Sequence, residues 1–316
     1  MTQPWPDRVD VDVGGHVVAL STLGKVLWPA AGFTKGGMIE YYRAIAPVLL
    51  PHLEGRPLTL ARYPDGVDQD GWYQTRCPHP PPWIRTCPVP SPSGRGDGRD
   101  YCLVNETAAL LWAVNLDAIE LHPLLARTED LEQPTAVVFD LDPGWASGLV
   151  ACCRLALRIR ALLGDMGLSA RAKTSGWNGL HVFAPVKEAT YRQTKGLARA
   201  VAKVLASEIP ELAVDRSALE LRTERVFVDW SQNDFSKSIV APYSLRARPY
   251  PTVSMPLHWQ EVEDAVSRSD ASELYFAPEE ASARVERYGD LFLSVLGPGA
   301  NVPDGAVQAL VGPLRR

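Results

Sequence analysis

The segment from Val137 to Gly144 constrains the fold of this chain more than any other. It reads Val-Val-Phe-Asp-Leu-Asp-Pro-Gly, which predicts a buried strand that ends at Pro-Gly and carries two acids. Side chains alternate along a strand, so Asp140 and Asp142 share one face, with Cα atoms about 7 Å apart. Two buried carboxylates need a counter-ion, which favours Mg²⁺ or Mn²⁺. The alternative is a strand-end turn with two solvated acids.

A second apolar run carries a third acid. Val226-Phe227-Val228 precedes Asp229, and this segment also predicts a strand that ends in a carboxylate. In two-metal phosphoryl transfer, acids hold the ions and cations neutralise the triphosphate. A third acid near several cations therefore indicates that chemistry. The downstream cations are Lys237, Arg246 and Arg248.

A glycine-bearing turn lies between two predicted strands in the segment from Arg171 to Phe183. Its glycines allow backbone amides to converge on an anion, and Lys173, Ser175 and His181 add donors. It is not a Walker loop, because no Gly-Lys-Ser/Thr closes it. A plain hairpin turn is the alternative.

Thr34 predicts the N-cap of a helix that ends near Gly55. Free amides and the positive end of the dipole suit a phosphate, and Lys25 and Lys35 lie close to this helix start. The alternative is an ordinary capped helix with solvated lysines.

Two adjacent aromatic residues, Trp72 and Tyr73, follow Gly71 in a polar stretch. Neighbours on an extended chain point in opposite directions, so one core face cannot take both. They either stack on an exposed base or pack beneath a loop. His122 ends another predicted strand, and we expect its ring to be exposed.

The net charge of −5 excludes a protein coated in positive charge for non-specific nucleic-acid binding. It leaves room for a focused cluster of Lys and Arg. The sequence has no run of 18 apolar residues and no signal-peptide pattern at its start, so we expect a cytoplasmic protein without a membrane partner.

The five cysteines do not predict a disulfide framework, because their number is odd and two are adjacent. Cys152 and Cys153 are expected in a helix core. The irregular gaps in the set Cys77, His79, Cys87 and Cys102 match no standard zinc spacing, so free thiols are expected there.

Six motifs occur in a consistent order between about Leu20 and Leu293. Together they resemble the polymerase domain of bacterial DNA ligase D, a member of the archaeo-eukaryotic primase superfamily. The motifs are Lys25-Val26-Leu27-Trp28-Pro29, Arg56-Pro57-Leu58-Thr59-Leu60, Glu120-Leu121-His122-Pro123, Asp140-Leu141-Asp142-Pro143-Gly144, Lys173-Thr174-Ser175-Gly176 with Gly179-Leu180-His181, and Val228-Asp229 through Ala241-Pro242-Tyr243-Ser244-Leu245-Arg246.

The resemblance implies template-dependent addition of nucleotides, commonly ribonucleotides, at DNA ends and short 5′-phosphorylated gaps in non-homologous end joining. It implies two Mg²⁺ or Mn²⁺ ions on the catalytic acids Asp140, Asp142 and Asp229. The incoming NTP or dNTP would contact His122, Ser175, His181, Arg222, Lys237 and Arg246. The DNA would contact Thr22, Lys25, Lys35, Arg62, Trp72 and Tyr73.

Three positions depart from the family pattern. The family often has Lys at Asn178, Asn at Thr22 and Lys at Ala61. The missing cations weaken the expected grip on triphosphate and DNA but leave the metal site intact.

The expected fold is mixed α/β, with an RRM-like, largely antiparallel central sheet and helices outside it. The catalytic domain is expected over 8–298, with an N-terminal lobe over about 8–130, a metal-binding lobe over about 131–298, and a tail over 299–316. No ligase or nuclease portion is seen, so the expectation is either a stand-alone polymerase or one that meets a DNA ligase, and Ku, in trans. We expect it to be associated with the bacterial nucleoid.

Other functions stay open. The superfamily includes primases that start chains de novo, and a DNA-end-bridging module without catalysis is a non-enzymatic alternative. The Asp140-Leu141-Asp142 motif also resembles the first motif of haloacid-dehalogenase-type phosphatases, but those continue with Gly-Thr where this chain has Pro143-Gly144.

Overall fold

The computed structural model describes residues 7–91, 98–218 and 221–311. Over these residues the chain forms strands and helices that are numbered here in chain order. The strands are β1 (Arg8–Val13), β2 (His16–Ser21), β3 (Val26–Trp28), β4 (Phe33–Thr34), β5 (Leu58–Arg62), β6 (Trp72–Gln74), β7 (Thr86–Val89), β8 (Arg99–Cys102), β9 (Ala118–Pro123), β10 (Ala126–Arg127), β11 (Asp130–Pro134), β12 (Ala136–Pro143), β13 (Arg171–Thr174), β14 (Leu180–Pro185), β15 (Ala213–Val214), β16 (Val226–Asp229), β17 (Leu245–Arg246), β18 (Thr252–Val253) and β19 (Pro256–Leu257). The helices are α1 (Lys35–Leu53), α2 (Thr107–Asn115), α3 (Gly148–Asp165), α4 (Tyr191–Glu208), α5 (Trp259–Arg268), α6 (Pro278–Tyr288) and α7 (Ala306–Val311).

The chain divides into two compact units, and each is built from separate stretches of sequence. The first unit comprises the chain up to Glu129 with Ser238–Ser254 and Phe276–Asp290. The second comprises Asp130–Lys237, Met255–Tyr275 and the chain from Leu291 onward. Among the described residues, no helix has both the length and the apolar content needed to cross a membrane.

The second unit contains a six-stranded sheet with strand order β15-β16-β12-β14-β13-β19. All of its pairs are antiparallel except β15 with β16. Read along the chain, β12-α3-β13-β14-α4-β16 is a βαββαβ unit whose four strands lie in the order 4-1-3-2, the ferredoxin-like arrangement of an RRM. The expected mixed α/β, RRM-like fold is therefore confirmed.

Strand β12 lies inside this sheet because its apolar run can be buried on both faces. Val137, Val138, Phe139 and Leu141 have no exposed surface, whereas Asp140 and Asp142 at the strand end are part-exposed. Helix α3 packs on the sheet with its apolar stripe, and Cys152 and Cys153 are buried in it, as predicted.

The first unit has a five-stranded sheet in which β5 is central. Strand β9 pairs along its full length, while β6 pairs with β5 at Leu60 to Arg62 and β8 pairs with it at Leu58. Helix α1 begins after Thr34, whose hydroxyl accepts the amide hydrogen of Gly37 at 3.2 Å, so the predicted N-cap is confirmed.

Cys77 and Cys102 form a disulfide, and the expectation of free thiols at these two residues is wrong. Cys77 N donates to Asp100 O at 2.7 Å, which brings the proline-rich segment against β8. The 25 residues that separate the two cysteines hid this pairing, because sequence spacing does not show which loops meet. Cys87, Cys152 and Cys153 are free thiols.

Candidate active site

Four polar residues of the second unit lie in one row across its sheet. Asp140 is directly opposite Asp229 on one neighbouring strand and opposite His181 on the other, and His181 is opposite Lys173. Cross-strand partners project from the same face. Hydrogen-bond register alone therefore brings the side chains of Asp229, Asp140, His181 and Lys173 together, although they are far apart in sequence.

Direct side-chain contacts connect most of this row. Lys173 Nζ is 2.8 Å from His181 Nδ1, and His181 Nε2 is 3.1 Å from Asp140 Oδ1. With Lys173 as an ammonium, Nδ1 accepts, and the imidazole proton on Nε2 points at Asp140. Because Lys173 has no exposed surface, this arrangement fixes the tautomer and the ring orientation of His181.

Gln232 connects Asp140 to Asp229. Its Nε2 lies 3.2 Å from Asp229 Oδ2 and 3.5 Å from Asp140 Oδ2. The other oxygen of Asp229 accepts from Ser231 N at 2.8 Å. The two carboxylates thus converge on one donor at the end of β12 and β16.

Asp142 has a different partner from the other two acids. Its Oδ2 is 3.4 Å from Arg222 Nη2, and the guanidinium lies over the Phe227 ring at 4.7 Å. The Asp142 side chain is 46% exposed, against 14% for Asp140. The outermost acid is therefore accessible and paired with a cation.

Gly144 allows the Arg222 segment to reach this edge of the sheet. A Cβ built at Gly144 would lie 1.5 Å from Arg222 O, and Gly144 N donates to Arg225 O at 2.9 Å. Only glycine fits so close a backbone approach. The Pro-Gly sequence that marks the strand end thus also positions Arg222.

The acids suit a hard cation by their chemistry. Carboxylate oxygens are the ligands that Mg²⁺ and Mn²⁺ prefer. In the described part of the chain, no three His, Cys, Asp or Glu side chains are arranged to hold one ion, and Asp142 is paired with Arg222. Asp140 and Asp229 are adjacent, and Asp142 would join them by releasing Arg222.

The glycine turn is closed by Ser175. Its Oγ accepts from Gly179 N at 3.1 Å and from Trp177 N at 3.3 Å, and Gly176 has a positive φ of 79°. The hydroxyl keeps its own proton as a donor. Asn178 accepts from the Tyr275 hydroxyl at 3.2 Å.

The first unit holds a second polar cluster around Glu120, which sequence reasoning did not single out. Glu120 accepts from Arg246 Nε at 3.1 Å and Ala247 N at 2.9 Å, and it contacts His122 Nε2 at 2.7 Å. Burial raises the pKa of Glu120, but Arg246, His122 and Ala247 outweigh it and lower that pKa to about 2. The carboxylate is therefore ionised and neutralised by its neighbours.

His122 is 7% exposed, so the expectation of an exposed ring is wrong. Its ring is held by Glu120 and meets the edge of Tyr73 at a centroid distance of 5.3 Å. The signal for Glu120 was available: Glu120 and His122 are two residues apart on a strand and share a face, as Asp140 and Asp142 do.

Lys25 and Lys35 come together on Asp117. Lys25 Nζ lies 2.8 Å from Asp117 Oδ2 and Lys35 Nζ lies 3.3 Å from Oδ1. Lys35 is 2% exposed, and burial lowers its pKa although Asp117 opposes the shift. Lys35 Nζ also lies 3.5 Å from Thr22 Oγ1. The alternative of solvated lysines is therefore wrong for Lys35.

Of the remaining predicted residues, Trp72, Tyr73 and Lys237 are exposed, and Arg62 lies against Trp72. Trp72 is 45% and Tyr73 61% exposed, on strand β6. Arg62 lies over the Trp72 ring at 5.1 Å and donates to Leu116 O. Lys237 is exposed in the second unit. Each predicted residue thus falls into one of the two units, with Arg246 and His122 in the first and the acids in the second.

Comparison with known proteins identifies relatives that match most of the chain. A family model for the LigD primase-polymerase domain matches residues 34–292. The chain is 37% identical over 291 residues to the multifunctional non-homologous end joining protein LigD of Mycolicibacterium smegmatis, covering 91% of this chain and 37% of that protein. It is 27% identical over 250 residues to the bifunctional LigD of Bacillus subtilis, covering 78% of this chain and 40% of that protein.

A solved structure gives the same result in three dimensions. The fold is similar to the polymerase domain from Mycobacterium tuberculosis ligase D in complex with DNA, with a TM-score of 0.82 and 34% identity. The match covers 89% of this chain and 99% of that one. The chain thus spans well under half the length of the curated relatives and nearly all of the solved domain.

Proposed function

The chain belongs to the LigD primase-polymerase family, and we propose that it is a DNA-dependent nucleotidyltransferase. It adds ribo- or deoxyribonucleotides to primer 3′ ends at DNA ends and short 5′-phosphorylated gaps, in non-homologous end joining or gap-filling repair. The observation that supports this most directly is the row of Asp229, Asp140 and His181 across an RRM-like sheet, with Asp142 beside it.

Two Mg²⁺ or Mn²⁺ ions on Asp140, Asp142 and Asp229 would lower the pKa of the primer hydroxyl and hold the incoming triphosphate. The protein's part is to orient these acids. His181 holds one oxygen of Asp140 and Gln232 holds the other, which fixes the plane of that carboxylate. Lys173 fixes His181 in turn, as outer partners of metal ligands commonly do.

Arg222 has two roles in this proposal. It neutralises Asp142 before an ion binds, because the two side chains lie 3.4 Å apart. If Asp142 held an ion, the guanidinium would be free to bind the triphosphate. The family resemblance would also assign nucleotide contacts to Ser175 and Lys237 of the same unit, and to His122 and Arg246 of the first unit.

The first unit binds the DNA. Lys25 and Lys35 carry two positive charges against the single charge of Asp117, so a net positive charge is left for a 5′-phosphate, with Thr22 beside it. The exposed rings of Trp72 and Tyr73, with Arg62 against Trp72, suit stacking on a template base. Since the substrate is chromosomal DNA, we place the protein in the bacterial cytoplasm, with a ligase and Ku as partners.

Extension of a labelled primer on gapped DNA with Mn²⁺ tests the proposal. Asp140→Ala and Asp229→Ala are expected to abolish extension while leaving DNA binding intact. Asp165→Ala, an exposed acid at the end of α3, is the matched control and should extend normally. A wild-type protein that binds the gap but adds no nucleotide with either metal would refute the polymerase and leave end bridging.

The same assay resolves two details. Primer extension by the wild type should differ between gaps with a 5′-phosphate and gaps with a 5′-hydroxyl, and this difference should be much smaller for Lys25→Ala. Equal losses of extension on both gaps would show that Lys25 does not bind the phosphate. An unprimed single strand offered with nucleotides should give no product, and a short product would make the protein a primase.

A further inference from the structure

The second unit has a cavity of about 690 Å³ next to Asp229 that none of the assigned nucleotide contacts uses. Helix α4 forms one wall, and the segment around Arg216 and the end of β16 form the others. Its lining combines cations with aromatic rings, and the residues used below are Arg199, Lys203, Arg216, Asp229 and Trp230.

The α4 wall belongs to a longer cationic stripe. Arg192, Lys195, Arg199 and Lys203 recur every three or four residues, which places them on one face of the helix. Three of them are exposed and Lys195 is half-buried, while the opposite face packs into the core. At about 1.5 Å per residue the stripe extends over about 16 Å.

The cavity wall is held in place near Asp229. The Arg199 guanidinium lies over the Trp230 ring at 4.9 Å, and Trp230 Nε1 donates to Asp215 O at 3.1 Å. Lys195 also lies over this ring and pairs with Asp234, so it is not counted as a ligand. Arg199 is thus oriented, although its side chain is exposed.

Charge inside the cavity favours an anion. Arg199, Lys203 and Arg216 face two acids, Asp215 and Asp229. Arg216 Nε lies 3.9 Å from Asp215 Oδ1, and so long an ion pair at the surface is weak. If Asp229 is a metal ligand, its charge is neutralised and three cations remain against one acid. A chain with a net charge of −5 has concentrated positive charge here.

We propose that this cationic groove, formed by Arg199, Lys203 and Arg216, binds the sugar–phosphate backbone of the primer strand next to its 3′ end. The inference rests on the proposed function, because a primer whose 3′-hydroxyl reaches Asp229 must continue away from that residue. Phosphates of one strand recur about every 3.4 Å along a duplex axis, and Arg199 and Lys203 are about 6 Å apart along α4, so these two side chains match about two phosphates. Trp230, which is part-exposed and lines the groove, supplies apolar surface for a sugar.

Binding measurements with two DNAs test the groove. One has a primer annealed up to the gap; the other has the same template and 5′-phosphorylated downstream strand but no primer. The double variant Arg199→Gln/Lys203→Gln is expected to weaken binding to the first roughly tenfold and to lower its salt slope by about two. Binding to the second DNA should be unchanged.

The controls separate charge from folding and position. Arg154→Gln removes an exposed arginine from α3 of the same unit and should change neither affinity. Arg199→Lys keeps the charge and should retain most of the primer-dependent affinity. Thermal unfolding of each variant should match that of the wild type, since the substituted side chains are exposed on helices.

Three results would overturn the inference. Equal losses on both DNAs would mean general DNA attraction, and unchanged affinity on both would mean a solvated helix face. A raised KM for the nucleotide with normal DNA affinity would assign the groove to the triphosphate. If the wild type adds no nucleotide at all, the proposed function fails. Even then, a double variant that loses primer-dependent binding would still assign the groove to the primer strand.

Discussion

Glu120 shows how one buried residue organises a cluster. Its carboxylate contacts an arginine, an imidazole and a backbone amide, and each of these would lose that contact without it. Breaking such a buried pair costs more than an exposed one because the remaining charge stays in a low dielectric. Glu120 thus fixes the positions of both His122 and Arg246.

The lowered pKa of Glu120 predicts acid sensitivity. The folded-state value is about 2, below the ordinary 4.5, so the ionised form stabilises the fold. That stabilisation is fully present above about pH 4.5 and is lost as the pH falls towards 2, by at most about 3 kcal/mol. Wild type should therefore lose more stability than Glu120→Gln between pH 5 and pH 3 in urea unfolding.

The control for this prediction is Glu40→Gln, an exposed acid on α1 that should follow the wild-type pH profile. Glu120→Gln should also be less stable than wild type at pH 7, because Arg246 loses its carboxylate. Parallel wild-type and Glu120→Gln profiles would contradict the account of this cluster.

At the scale of elements, the close approach of the Gly144 backbone to the Arg222 backbone positions the segment that carries Arg222. Gly144→Ala would place a methyl group 1.5 Å from Arg222 O, so the segment that carries Arg222 must move. We expect a loss of at least about 1–3 kcal/mol of stability, as in overpacked cores, and a severalfold lower extension rate. Thermal unfolding and primer extension measure the two effects.

Gly164→Ala is the matched substitution. It lies in α3 of the same unit, where a Cβ meets no atom within 4 Å, and alanine favours a helix. It should leave activity unchanged and stability equal or higher. Gly144→Ala with wild-type activity and stability would show that the backbone approach does not position Arg222.

Elements with a strong periodic pattern were predicted well. The helix predicted from the Thr34 N-cap to near Gly55 spans Lys35–Leu53. The acidic strand was predicted because apolar β-formers end abruptly at Pro-Gly. Local sequence determines these elements, so local reasoning finds them.

Other elements depended on chain reversals and distant partners. Strands β1 and β2 form a hairpin that turns at Gly14 and Gly15, both with positive φ. The Cys77–Cys102 disulfide, the burial of His122 and the role of Asp117 all arise from contacts between separated segments. Periodicity carries no information about such contacts. The six motifs supplied the acids and His181 as candidates, and the register between strands shows how these side chains meet.

At the scale of the whole molecule, the first unit needs chain from three parts of the sequence. Tyr41 donates to Tyr243 O at 2.7 Å, and Tyr42 accepts from Leu245 N at 3.0 Å. Arg246 neutralises Glu120. The segment Ser238–Ser254 is therefore part of the first unit's core, although it follows the second unit's strands in sequence.

A truncation tests this organisation. A chain that ends at Lys237 lacks Tyr243 and Arg246, so Glu120 is left buried without its guanidinium. Amide hydrogen exchange in α1 and β9 should become much faster than in the full chain. A chain that ends at Asp290 keeps all three stretches of the first unit and should protect these amides normally. Equal protection in both would mean that the returning segment is dispensable.

The row of Asp229, Asp140, His181 and Lys173 also has a consequence for how the family can vary. Adjacent strands are about 4.8 Å apart, so backbone pairing, and not the loops, sets the spacing between these side chains. Loops that join the strands can lengthen or shorten without changing that spacing. A single-residue deletion inside β12, β14 or β16 would turn that strand's side chain of the row to the other face of the sheet.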